Sequence, residues 1–168
     1  MPQGHVKEDV MKGAFDEFFG NNDGHLLFSS QRADVALATL HPKPGHIFKL
    51  WQIYLENVDP LLKVTHTPTL QPRMIDAASD ISSCTPPFEA LMFSIYCTAI
   101  LSLEEDDCQT LFGVGKKEIL VRFQFGCQQA LYRAEFLRSG DMDCLVALYL
   151  YLVSTSTLGP SVVFPLDL

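Results

Sequence analysis

With 168 residues the chain is about one domain, large enough to bury a core. Apolar residues make up 48% and charged residues 19%, the balance of a soluble globular protein tilted toward the apolar side. A formal net charge of -8 argues against direct nucleic-acid binding, which needs a basic face to neutralise phosphates, and no Lys/Arg cluster reads as a membrane patch. The polar start MPQGHVKEDV has no apolar signal-peptide core, and neither end carries a lipidation signal. An intracellular chain is expected, with Cys84, Cys97, Cys108, Cys127 and Cys144 as reduced thiols. No two of them form a C-x-x-C pair, so a zinc site made from neighbouring ligands is not expected.

Taken in order, Val6, Val10, Met11, Ala14, Phe15 and Phe18 recur at helical spacing, and Gly20 can close that helix. Its mixture of acidic residues with Phe and Met also occurs in activation segments that fold on a partner, although a short surface helix is the plainer reading. A second short helix, capped by Ser29 or Ser30, is expected to reach Leu40. The stretch His41-Pro42-Lys43-Pro44-Gly45 reads as a stiff linker. Ile47, Leu50, Trp51, Tyr54, Leu55 and Val58 then follow the i, i+3, i+4, i+7 rule of an amphipathic helix, which Pro60 is expected to stop. Residues 61–66 are apolar enough to be buried, and a short helix is expected over residues 70–78.

Residues 85–103, TPPFEALMFSIYCTAILSL, carry no charge after Glu89, so the helix they form is apolar on every side. Such a helix is enclosed by protein or by lipid, and residues 90–103 are too few for lipid, which needs about 20 apolar residues. Thr85 is placed as its N-cap, with Pro86 inside the first turn. Glu104-Glu105-Asp106-Asp107 lacks the alternating ligands and glycine turn of a metal loop, and reads as the start of another helix, where the dipole favours acids. GVGKK lacks the spacing of a phosphate-binding loop and reads as a turn. Residues 116–138 form a long helix buried on two sides, with Arg122, Gln129 and Arg133 facing water and with Gly126 permitting a close crossing. Gly140 ends it, and Asp141 caps a last helix over residues 142–153, again apolar all round. The tail that follows has no periodicity.

Catalysis would need a nucleophile or an acid–base group in an organised setting. Cys84 and Cys108 stand at helix starts, where a thiol can have a lowered pKa, and His66 is a candidate base. Nothing local orients such a pair, so no catalytic residue and no enzyme activity is expected.

Four runs taken together carry a family signal: HPKPGHIFKLWQIYLENVDPLLKVTHTPTLQ, PFEALMFSIYCTAILSL, ILVRFQFGCQQALYRAEFLRS and DCLVALYLYLVS. From His41 to Ser154 the chain resembles the fungal-specific transcription factor domain, the helical regulatory region of binuclear zinc-cluster transcription factors. The most specific pieces are the Trp51–Tyr54 helix leading into Asn57, Pro60 and His66-Thr67-Pro68-Thr69, and the run Gly126-Cys127-Gln128-Gln129-Ala130. The resemblance implies a nuclear regulator whose DNA contacts belong to a separate six-cysteine module holding two zinc ions. That module's pattern is absent here, so no cofactor, metal ligand or DNA-reading residue carries over to this chain.

The expected architecture is all-α, an irregular multi-helix array around a buried central helix, reading as truncated at its C-terminal end. Residues 1–45 are taken as an extension with a short amphipathic helix and a Pro-rich linker, 46–154 as a partial regulatory domain, and 155–168 as a non-matching tail. Protein partners or a homodimer are expected, through Leu148 and Leu150 on the last helix, with no direct nucleic-acid or membrane contact. Two alternatives stand beside this regulatory reading. One is a ligand-sensing module with a pocket near Trp51, Phe93 and Tyr96; the other is a fragment without independent activity.

Overall fold

A computed structural model describes residues 36–156. Regular structure among the described residues is helical throughout. The first expected helix and the tail from residue 157 lie outside the described residues; of the second, expected to reach Leu40, only the end is described, and it is a 3-10 turn, Leu37–Thr39.

Pro86–Leu101 (α4) is the centre of the described fold. Every residue from Phe88 to Ile100 is buried, Glu89 included, as a helix without a polar face requires. Its small hydroxyls stay satisfied within the helix: Ser94 Oγ donates to the Leu91 carbonyl at 2.8 Å, and Thr98 Oγ1 donates to those of Ser94 and Ile95. Thr85 has the extended backbone of an N-cap, but its side chain makes no capping hydrogen bond. Pro86, which has no N–H to satisfy, opens the helix instead.

The helices around α4 start and stop for identifiable reasons. Pro44–Ile53 (α1) begins two residues inside the expected linker, with proline in its first turn. Pro60 does not stop it. A π-helical turn, Tyr54–Val58, precedes the proline, with the Asp59 N–H bonded to the Tyr54 carbonyl, and the chain continues helically as Asp59–Leu62 (α2). The wider turn accommodates a residue that has no N–H and whose ring crowds the carbonyl four residues back. One extra residue in a turn also rotates everything after it by about 100°. Leu61 is therefore 81% exposed, against the expectation that residues 61–66 are buried. Lys63, at φ 52°, ends the segment.

Thr67–Ser79 (α3) begins three residues earlier than expected, because Pro68 is a first-turn residue. It buries Leu70, Met74, Ala77 and Ala78 on one face. Glu105–Phe112 (α5) has Glu105, Asp106 and Asp107 in its first turn, as the dipole argument predicts, and Gly113 closes it at φ 72°. Lys116 opens Lys116–Arg133 (α6) and reaches back to the C-terminus of α4, where its Nζ donates to the carbonyls of Leu101 and Leu103 at 3.1 and 2.6 Å. The last helix is Met142–Ser156 (α7), capped by Asp141, whose Oδ1 accepts the Asp143 N–H at 2.9 Å.

Helix α6 stops five residues before Arg138. Glu135 takes the left-handed conformation, the Phe136 N–H bonds the Leu131 carbonyl, and the Glu135 N–H bonds that of Tyr132. This is a Schellman termination with Glu in the position glycine usually takes, and burial of Phe136 offsets the backbone strain. Gln129, expected to face water, is buried. The central helix packs chiefly on α6 and α7, and next on α1.

The α4–α6 crossing is close because Gly126 permits it. A Cβ there would lie 2.5, 2.7 and 2.8 Å from Cε1, Cδ1 and Cζ of Phe93, which is itself fully buried. Alanine would gain about 1 kcal/mol in helix propensity, while overpacking costs about 1–3 kcal/mol. Gly126→Ala is therefore expected to lower stability by about 1–2 kcal/mol in urea unfolding. The loss should disappear in a Phe93→Leu background, where the ring no longer occupies that space.

Candidate functional site

Glu89, Phe93 and Tyr96 recur at i, i+4, i+7 and share one face of α4. His41 is packed against that face, from the loop between a 3-10 turn (Leu37–Thr39) and α1. Its Nε2 lies 3.0 Å from Glu89 Oε1, its Nδ1 lies 3.1 Å from the Tyr96 hydroxyl, and its ring centroid is 4.3 Å from that of Phe93. Burial holds the Tyr96 phenol well above its ordinary pKa, with the Cys84 and Glu89 charges adding to the rise. The hydroxyl thus keeps its proton and can donate it to Nδ1, which leaves Nε2–H to donate to the Glu89 carboxylate. Arg122 of α6 secures the loop from the other side, donating to the Thr39 carbonyl at 3.0 Å.

This cluster ties the start of the described chain to the central helix. The His41 side chain is 1% exposed and both its ring nitrogens are engaged, so neither is placed to exchange a proton with a substrate. Phe93 and Tyr96 are likewise buried, with their rings 5.6 Å apart, and His41 packs against both. Trp51 stacks on Tyr54 at 5.6 Å and 14°. Its indole N–H and both ends of the Gln124 amide are buried without a hydrogen-bond partner. A shallow depression of about 530 Å³ lies on α3, lined by Thr67, Pro68, Gln71, Pro72, Ile75 and Asp76.

The thiol–imidazole pair is not assembled. Burial, with the Glu89 and Asp80 charges, pushes the Cys84 thiol up to about 11, and burial also raises that of Cys108. Desolvation outweighs any help from a helix start, so neither is an activated thiolate. His66 is exposed, with Nδ1 2.7 Å from Thr69 Oγ1, and acts as a local turn residue.

On the last helix, Leu150 is buried and Leu148 is half-buried. The outward side carries Met142, Leu145, Tyr149 and Leu152, exposed by 67, 61, 45 and 41%. Helix α7 is anchored by Cys144, Ala147, Leu150 and Tyr151, by a Gln128–Tyr151 hydrogen bond of 2.6 Å, and by Arg73 of α3. Arg73 grips Asp143 through two parallel hydrogen bonds and lies 4.2 Å over the Phe88 ring, so one guanidinium links α3, α4 and α7.

Two of these features had partial sequence signals. Glu89 is the only charge in α4, and a charge in an enclosed helix needs a partner; nothing in HPKPG showed that His41 would supply it. The outward face of α7 needed the direction of α4 to be known, since both faces are apolar.

The chain is 57% identical over 150 residues to "Transcriptional regulator AacuB" of Aspergillus aculeatus, covering 89% of this chain and 20% of the relative. It is 46% identical over 157 residues to "Transcriptional regulator nsrM" of Aspergillus novofumigatus, covering 90% and 22%. With "Aurofusarin cluster transcription factor aurR2" of Gibberella zeae it shares 39% over 130 residues, covering 77% and 19%. This chain is similar to one segment of fungal transcription regulators. It spans about one fifth of the length of the curated relatives it matches, which also include a "C6 finger domain transcription factor". The first two matches are longer than the His41–Ser154 stretch on which the resemblance rests. No family model and no solved structure matches.

Removing the imidazole leaves Glu89 buried without its partner. His41→Ala is expected to lower stability by about 2–4 kcal/mol, and Glu89→Gln should recover part of that in a double-mutant cycle. For Cys84, a pKa near 11 means that native alkylation at neutral pH should run about 100-fold slower than for an ordinary thiol. Since burial raises this folded-state pKa, its stabilising contribution is complete below about pH 9 and is lost as pH rises through about 11. The urea midpoint is therefore expected to fall across that window.

Proposed function

We propose that this chain is a regulatory, non-catalytic segment of a fungal transcription regulator, nuclear in location and acting through protein contacts. The observation that carries the proposal is the 57% identity to a segment of a protein named as a transcriptional regulator. The net charge of -8 supports contact with protein rather than nucleic acid, and a zinc cluster outside this segment is the fitting source of DNA contacts. The engaged imidazole of His41 and the raised Cys84 thiol support a non-catalytic role.

A small-molecule sensor is the second reading, favoured by the unpartnered polar atoms of Trp51 and Gln124, which a polar ligand could engage. Tethering the chain to a reporter promoter through an unrelated DNA-binding domain tests both. A several-fold change in transcription, up or down, is expected, and it should survive Gln124→Met if protein contacts carry it. Loss of the effect in Gln124→Met with the fold intact would favour the sensor. A nuclear, folded fusion that leaves transcription at the level of the DNA-binding domain alone would sink the regulatory proposal.

A further inference from the structure

Thr85 is the cap residue of α4, yet its hydroxyl caps nothing. The connection from α3 to α4 exposes three hydroxyl side chains, those of Ser82, Ser83 and Thr85. Ser82 Oγ donates to the Asp80 carboxylate and Ser83 Oγ to the Asp80 carbonyl, so only the Thr85 hydroxyl is left without a role in the turn. Cys84 (φ -68°, ψ 135°) and Thr85 (φ -72°, ψ 150°) are both extended, Thr85 being held there by the proline that follows it. Pro86 is itself exposed. An accessible hydroxyl on extended backbone, followed by a residue with no N–H to satisfy, is the form in which a proline-directed protein kinase takes its substrate. The sequence has one other Thr-Pro pair, Thr67-Pro68, but Thr67 is half-buried in the first turn of α3.

Arg73 is the cation of this corner. It lies 4.2 Å over the ring of Phe88, three residues after Thr85, and its charge acts on the thiol of Cys84, one residue before. The carboxylates that also act on Cys84 are engaged elsewhere, Asp80 by Ser82 and Glu89 by His41. The Arg73 side chain is 40% exposed and holds Asp143 at the start of α7. We propose that Thr85 is a phosphorylation site, and that its phosphate takes Arg73 from Asp143 and so loosens the first turn of α7. The γ-phosphoryl group of ATP passes to Thr85 Oγ1, the hydroxyl proton leaves, and ADP is released. The phosphate brings a charge of about -1.5 to -2 and three acceptor oxygens, against the single charge of Asp143. It also stands at the start of a 16-residue helix, where the dipole favours an anion. Pro86 and Pro87 have no N–H, so the Phe88 N–H is the first amide it meets. Loss of Arg73 unties α3 from the turn in which Cys144 is buried, while the Gln128–Tyr151 hydrogen bond keeps the rest of α7 in place.

The use of this switch in transcription rests on the regulatory reading, but its chemistry is tested without a promoter. The full 168-residue chain is treated with a proline-directed mitogen-activated protein kinase and magnesium ATP, and the modified residues are mapped by mass spectrometry. Phosphate is expected on Thr85 and should vanish from that peptide in Thr85→Ala. Iodoacetamide should label Cys144 several-fold faster in the phosphorylated chain, at unchanged overall helicity. In Arg73→Ala, Cys144 should be labelled faster from the start, and phosphorylation should add nothing. Phosphate on Thr67 alone, or on neither threonine, would overturn the site. Unchanged Cys144 labelling after phosphorylation of Thr85, or an equal acceleration in Arg73→Ala, would overturn the transfer of Arg73. A silent reporter fusion alongside a positive labelling result would count against the regulatory reading alone and leave the switch standing.

Discussion

At Gly126 the backbone of α6 lies against the ring of Phe93, with no room for a methyl group between them. That contact lets α6 approach α4 closely enough to enclose a helix that has no side to offer to water. With α6 so close, α7 can also reach α4, and three helices share one apolar interior. The contacts that secure their ends follow from the same closeness. Lys116 caps the carbonyls at the end of α4, and Arg73 draws α7 against α3 and α4.

Polar groups in this interior are mostly arranged to satisfy one another. His41, Glu89 and Tyr96 form a chain of hydrogen bonds, with burial keeping the phenol protonated. Gln128 and Tyr151 do the same between α6 and α7. Removing one member of such a pair is harmful because the remaining group has already lost its water. The Trp51 indole and the Gln124 amide depart from this pattern.

The outward face of α7 belongs to a different balance. Its inward face is held by Ala147, Leu150 and Tyr151, which leaves four large apolar side chains in water on a helix that is otherwise well anchored.

Much of the fold was legible in local pattern. The uncharged run of residues 90–101 required enclosure, the spacing from Ile47 onward required a helix with a buried stripe, and Gly126 inside a long helix pointed to a close crossing. These follow from short-range periodicity and from the steric freedom of glycine, which the amino-acid order alone determines. Other outcomes depended on what came into contact. Pro60 did not end its helix, because a π turn ahead of it removed the conflict and rotated Leu61 into solvent. Glu135 ended α6 before Gly140 could, because Phe136 had a core to enter. His41 became the partner of Glu89 across 48 positions of sequence, and the direction of α4 decided which apolar side of α7 was spare. Periodicity determines that a face must be buried; only the packed structure decides which neighbour buries it, because that depends on pairings between residues far apart in the chain.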